Sequence, residues 1–109
     1  MSKYLFIETR DPFESTDCVQ GFELINELKG KGHDVSLYLI QNGVFTSRSG
    51  VKVPGFSNIL SSGVKVLVDD CSLEERGILS DQIAAGISIS GADELVDLIM
   101  EENCKAIWH

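Results

Sequence analysis

Cys18, Cys71 and Cys104 are the residues of this chain best equipped for covalent chemistry. A cysteine acts as a nucleophile or sulfur carrier through its thiolate, so local charge and access must separate the three. Cys71 stands in the stretch VKVLVDDCSLEERG, residues 64–77. Val64–Val68 is a short β-branched run and predicts a buried strand. Ser72, with Glu75 three residues later, has the form of a capping box and predicts a helix start at Ser72. Cys71 is then expected in the turn from a strand's C-terminal end to a helix N-terminus, the edge where open α/β sheets bind ligands. The charges around it oppose one another. The helix N-terminus and Arg76 favour a thiolate, whereas Asp69, Asp70, Glu74 and Glu75 disfavour one. Cys18 recurs with Phe22 and Ile25 at helical spacing, which suits a small buried hydrophobe. Its first-turn position would nonetheless put it at the same edge as Cys71. Cys104 precedes the last predicted strand, at the opposite edge of a parallel sheet, and reads as structural.

Other chemistries find less support. His33 opens the second predicted strand, at the wrong edge, and His109 is the last residue, so a Cys–His hydrolase is poorly supported. A thiol that accepts and passes on sulfur needs no such base, only access and a workable pKa. An odd number of cysteines without CxxC or CxxH spacing argues against a disulfide framework and against a metal site. The segment Arg10–Thr16 lacks glycine and carries Asp11 and Glu14, which would repel a phosphate, so neither a nucleotide nor any other cofactor is expected. A phospho-acceptor at Asp69 or Asp70 would want a lysine ending the fifth strand, and Lys105 begins it. A net charge of −8 with scattered Lys and Arg argues against direct nucleic-acid binding. No apolar run approaches the ~20 residues needed to span a bilayer. The N-terminal apolar run, Tyr4–Ile7, is too short for a secretory signal, which makes the cytoplasm the expected compartment.

The elements that would position these residues alternate strand and helix along the whole chain. Strands are expected at Tyr4–Ile7, Asp34–Ile40, Val64–Val68, Ile87–Ile89 and Lys105–Trp108. Helices are expected from Ser15 or Thr16 to Lys29, over Phe56–Ser62, after Cys71, and from a Ser90 cap with Leu95, Val96, Leu98, Ile99 and Met100 buried. This pattern predicts one domain over residues 1–109, a three-layer α/β/α sandwich around a mostly parallel five-stranded sheet. It does not determine strand order. Gln41–Gly55 is the longest stretch without a pattern, and it follows a strand's C-terminal end. It carries Arg48 and Lys52, among the few cations this chain places at that edge, and is expected to border the cysteine or a subunit contact. The apolar residues Phe45, Val51, Val53, Phe56 and Ile59 around it exceed what so small a core readily buries. They predict an assembly rather than a monomer.

These motifs together resemble the DsrE/DsrF/DsrH superfamily of small sulfur-relay proteins, which includes the Tus proteins of tRNA 2-thiouridine synthesis. Asp11–Ser15 with Cys18, and the terminal Trp108, are similar to the DsrH branch. Leu39–Val44, LIQNGV, matches a D/N-G-V found after the second strand across the superfamily. Cys71-x4-Arg76-Gly77 resembles the DsrE pattern, in which a cysteine before an Arg-Gly carries a persulfide. The spacing here is slightly shorter than in that branch, and two acids precede the cysteine. The resemblance implies a persulfide carrier acting between sulfur-donor and sulfur-acceptor proteins, assembled as a trimer or hexamer, homomeric or mixed. Cys71 would be the relay thiol and Arg76 a binding residue, to which the position of Arg48 in the loop at the same edge adds a second expected binding residue. The DsrH-like features leave two alternatives open: relay through Cys18, or a non-catalytic structural or regulatory subunit.

Overall fold

A computed structural model describes residues 2–109. Five strands, β1 (Lys3–Glu8), β2 (Asp34–Leu39), β3 (Lys65–Asp69), β4 (Ile87–Ser90) and β5 (Cys104–Trp108), form one sheet in the order β4-β3-β2-β1-β5. All four pairings are parallel. The helices are α1 (Asp17–Gly30), α2 (Phe56–Ser61), α3 (Asp70–Glu75) and α4 (Ala92–Ile99). This is the α/β/α sandwich that the strand–helix alternation predicts.

Strand order explains where the helices go. From β1 to β4 the chain steps across the sheet in one direction, and right-handed crossovers then put the intervening segments on one face. Cys18, Phe22 and Ile25 of α1, Phe56 and Ile59 of α2, and Leu73 of α3 accordingly share one core with Phe6, Leu37, Val66 and Val68. The return from β4 to β5 reverses direction and lays α4 on the opposite face. There Leu95 packs with Leu5, Ile7, Tyr38 and Leu67. The second layer is thin. Of the five residues expected to be buried on α4, Leu95 alone is fully so, while Val96 and Met100 are exposed. Val96 lies about 100° round the helix from Leu95, off the face that meets the sheet, and Met100 already falls beyond the last helical residue.

The stretch after β2 is more ordered than its composition suggests. Gln41–Ser47 is a 3-10 helix with Gly43, Val44, Thr46 and Ser47 buried. Beyond it Arg48 bridges Ile83 antiparallel, and Ser49 N–H donates to the Gln82 carbonyl at 2.7 Å. Most of the apolar surplus expected around this stretch is absorbed: Val53, Phe56 and Ile59 are buried and Val51 packs against the same core, while Phe45 is half-buried. The exposed large hydrophobics lie elsewhere, at Phe13, Leu24, Leu79, Ile89, Val96, Met100 and Trp108. Among the described residues no helix is long and apolar enough to cross a membrane.

Candidate functional site

Cys71 lies at the C-terminal edge of the sheet, but inside α3 rather than in the turn before it. The expected cap at Ser72 is corrected by three residues. Asp69 ends β3 with extended backbone, and its Oδ2 accepts from the Ser72 N–H at 2.9 Å and from the Ser72 hydroxyl at 2.7 Å. Aspartate is among the best N-caps, and a strand's last residue already has the dihedrals that a cap requires. Ser72 is thus the capped residue, and Cys71 occupies the first helical turn, exposed to solvent.

The cap belongs to a larger buried network. The other oxygen of Asp69 accepts from the Tyr38 hydroxyl at 2.9 Å, and the Ser72 hydroxyl accepts from the Gln41 N–H, also at 2.9 Å. Burial and the Asp69 carboxylate together push the Tyr38 phenol above its ordinary range. Asp69 is therefore a buried carboxylate held by three donors, which is how such a group is tolerated in the absence of a cation. It ties β2, β3, α3 and the 3-10 turn to one point beneath Cys71.

Charge at the thiol resolves upward. The Asp70 carboxylate, by hydrogen bonding and by its charge, raises the Cys71 pKa above that of an ordinary thiol, with smaller contributions from desolvation, Asp69 and Glu74. Asp70 Oδ1 also accepts from the Cys71 N–H at 2.6 Å. The six-residue helix offers little dipole to offset these acids. Arg76 does not compensate either. Its Nε donates to Asn42 Oδ1 at 3.0 Å and its Nη1 to the Ser72 carbonyl at 3.1 Å, clipping the end of α3 to the 3-10 turn. Beside α3 runs a groove of about 280 Å³ between Asp70, Leu73, Glu74, Leu79 and Ile89. Its walls are mainly apolar and its rim is acidic.

Cys18 follows β1 as Cys71 follows β3, so both sit at the same sheet edge, with β2 between their strands. Its surroundings differ completely. The side chain is 0% exposed, its Sγ donates to the Arg10 carbonyl at 3.3 Å, and burial followed by the Glu8 charge pushes its pKa up to about 12. Glu8, itself buried, contacts His109 Nδ1 through Oε1 at 2.6 Å. Cys18, Glu8 and His109 are thereby brought together at one end of β1. Sequence reasoning set His109 aside. The register pairing Ile7 with Trp108 is what delivers it beside Glu8, and that pairing needs the strand order. Cys104 begins β5 at the opposite edge, half-buried, with its pKa raised chiefly by burial. Arg48 is engaged within its own segment, its Nε donating to the Phe45 carbonyl at 3.0 Å and its guanidinium over the Phe45 ring.

Comparison with known proteins places this geometry. The profile of the DsrE/DsrF-like family matches residues 2–104. An uncharacterized protein of Methanocaldococcus jannaschii, MJ0760, is 30% identical over 84 residues, or 67% of this chain. The chain spans about 30% of that protein's length. The crystal structure of the ychN protein from E. coli superposes with a TM-score of 0.89 at 18% identity, over the whole of both chains. MTH1491 of Methanobacterium thermoautotrophicum, a protein of unknown function, does so with a TM-score of 0.77, also at 18% identity and full coverage. At such identity the two structures speak for the fold. With nearly its whole length matched by the family profile, the chain belongs to the DsrE/DsrF-like family, within the sulfur-relay superfamily that its motifs resemble.

Proposed function

We propose that this protein is an intracellular sulfur carrier in which Cys71 accepts sulfane sulfur from a donor protein as a persulfide and yields it to an acceptor. The observation that carries this reading is the placement of Cys71: the exposed cysteine, in the first turn of α3, at the ligand-binding edge of a sheet of this family. In the accepting step the Cys71 thiolate attacks the outer sulfur of a donor persulfide. A new S–S bond forms at Cys71, the donor's S–S bond breaks, and the donor leaves as a thiolate. Handing the sulfur on repeats the exchange with an acceptor thiolate as nucleophile. Asp69 acts as a positioning residue, holding the first turn of α3 against β3.

The acidic collar gives this chemistry a built-in condition. With Asp70 and Glu74 uncompensated, the free thiol is poorly ionised at neutral pH. A donor that docks a basic surface against them lowers the Cys71 pKa at the moment of transfer. The apolar groove flanked by the same two acids suits such a docking face. We further propose that the chain acts as an oligomer, since α4 leaves Val96 and Met100 exposed on a thinly covered face.

Loading tests the reading. The protein is incubated with a sulfurtransferase bearing a persulfide, and its intact mass is measured. A one-sulfur adduct is expected on the unmodified chain and on Cys18→Ser, and none on Cys71→Ser. An adduct that survives Cys71→Ser and disappears in Cys18→Ser would move the role to Cys18. The raised Cys71 pKa favours a second reading, a structural or regulatory subunit without chemistry of its own. Absence of an adduct on any cysteine would select it.

A further inference from the structure

A cavity of about 560 Å³ is walled by residues of the segment from Thr46 to Leu60 and by Ala84, and none of the Cys71 helix lines it. Its volume falls among small-molecule sites, commonly about 300–1,000 Å³. Its lining includes apolar Val53, Phe56 and Leu60. It also includes Arg48 and Lys52, two cations in a chain whose net charge is −8. Among the described residues neither has a carboxylate within 4.0 Å, although Lys3, Arg10, Lys31 and Lys65 each have one. Arg48 is also fixed in place: its Nε is bonded to the Phe45 carbonyl and its guanidinium plane lies over the Phe45 ring. Among the described residues its two terminal nitrogens make no hydrogen bond.

A second observation points the same way. Thr46 lines the cavity and is 1% exposed, yet its Oγ1 has no hydrogen-bond partner among the described residues. Buried hydroxyls are nearly always paired, and an orphan asks for a missing partner. The walls are preformed. Ala84 N–H donates to the Ser47 carbonyl at 2.9 Å, and Asn26 Nδ2 to the Gly55 carbonyl at 3.0 Å, which ties down two of the lining segments.

We propose that this cavity binds a small amphipathic carboxylate, with its head between Arg48 and Lys52 near Thr46 and its aliphatic body against Val53, Phe56 and Leu60. A planar carboxylate matches the free edge of one guanidinium. A phosphate would call for more donors than one guanidinium, one ammonium and one hydroxyl supply. The site is independent of Cys71, so the carrier reading and this one stand or fall separately.

Calorimetric titration of the full chain with decanoate, below its micelle-forming range, tests the assignment. Saturable binding of one decanoate per chain is expected, with the same affinity in Cys71→Ser. Lys52→Gln and Arg48→Gln are each expected to weaken it ~10-fold, the scale of one lost charge-assisted hydrogen bond. Lys31→Gln, a cation at the far end of α1, leaves it unchanged. Decanol, with the same body and no charge, binds at least ~10-fold more weakly on the same grounds. Thr46→Val raises the melting temperature of the ligand-free protein and diminishes the further rise that decanoate gives. Lys52 is exposed and, among the described residues, its side chain makes no hydrogen bond or ion pair, so its variant folds and keeps the test sound if Arg48→Gln does not. Absence of saturable binding, equal binding of decanol, or unchanged affinity in Lys52→Gln would overturn the proposal. Tighter binding of decyl phosphate than of decanoate would overturn the carboxylate assignment.

Discussion

Asp70 accepts from the Cys71 N–H and sets its charge against the Cys71 thiol, so Asp70→Asn removes the charge while keeping polar atoms in place. The Cys71 pKa should fall. Alkylation by iodoacetamide followed against pH should show a lower midpoint, with a several-fold faster rate near neutrality. The gain is less than the gain in thiolate, because a less basic thiolate is also a weaker nucleophile. An unchanged midpoint would mean that Asp70 does not govern the thiol. Cys18 titrates differently. Its pKa is raised from 9.0 to about 12 in the folded chain, so between those values the folded state holds a proton that the unfolded state has lost. Its contribution to stability is complete below about pH 9 and is lost as pH rises toward 12. Cys18→Ala should flatten the fall in denaturation midpoint over that range, though the variant starts lower for want of a packed sulfur. At this scale the sequence distinguished the two thiols by pattern: Cys18 fell on an apolar helical stripe and Cys71 on none. It left the sign of the Cys71 shift open, because the acids on one side of the balance oppose a helix N-terminus and Arg76 on the other, and spacing does not show where the arginine points. Only the structure shows that Arg76 is turned to Asn42.

Two junctions hold the elements around the site, and each rests on a short segment. Asp69 caps α3 and receives the Tyr38 hydroxyl. Asp69→Ala should cost about 3 kcal/mol, from a lost cap and an orphaned buried donor, read as a shift in the urea midpoint at constant slope. A loss no larger than that of a surface substitution would show that the network is dispensable. Gly43, in the 3-10 turn, packs so closely on the end of β1 that a Cβ there would lie 2.2 Å from the Glu8 carbonyl oxygen. Gly43→Ala must displace the turn, at a cost of about 3 kcal/mol, and with it Asn42, the partner of Arg76. Wild-type stability in that variant would refute the close approach. The glycine was legible as part of Leu39–Val44, but its reason was not, since nothing local reveals that the turn crosses β1. The same limit explains the capping correction at α3. Ser72 and Glu75 satisfy the capping pattern, while Asp69 wins because the strand ends there.

Over the whole molecule, the alternation of strands and helices was enough to read the sandwich, whereas the order β4-β3-β2-β1-β5 had to be seen. That order is what leaves α4 alone on one face, with Met100 77% and Trp108 61% exposed. The apolar residues near Gln41–Gly55 go inward instead, so a subunit contact is better sought on the α4 side. Light scattering at micromolar concentration should give a mass that is a multiple of 11.9 kDa, and Met100→Glu should lower it. A mass equal to one chain at every concentration would reject the assembly. The carrier function itself is tested most directly by following the sulfur. A donor persulfide labelled with radioactive sulfur is mixed with the protein, the chain is digested, and the label is located before and after a thiol acceptor is added. The expected result is label on the peptide that contains Cys71, discharged by the acceptor. Label confined to the Cys18 peptide, or label on Cys71 that no acceptor removes, would contradict the account.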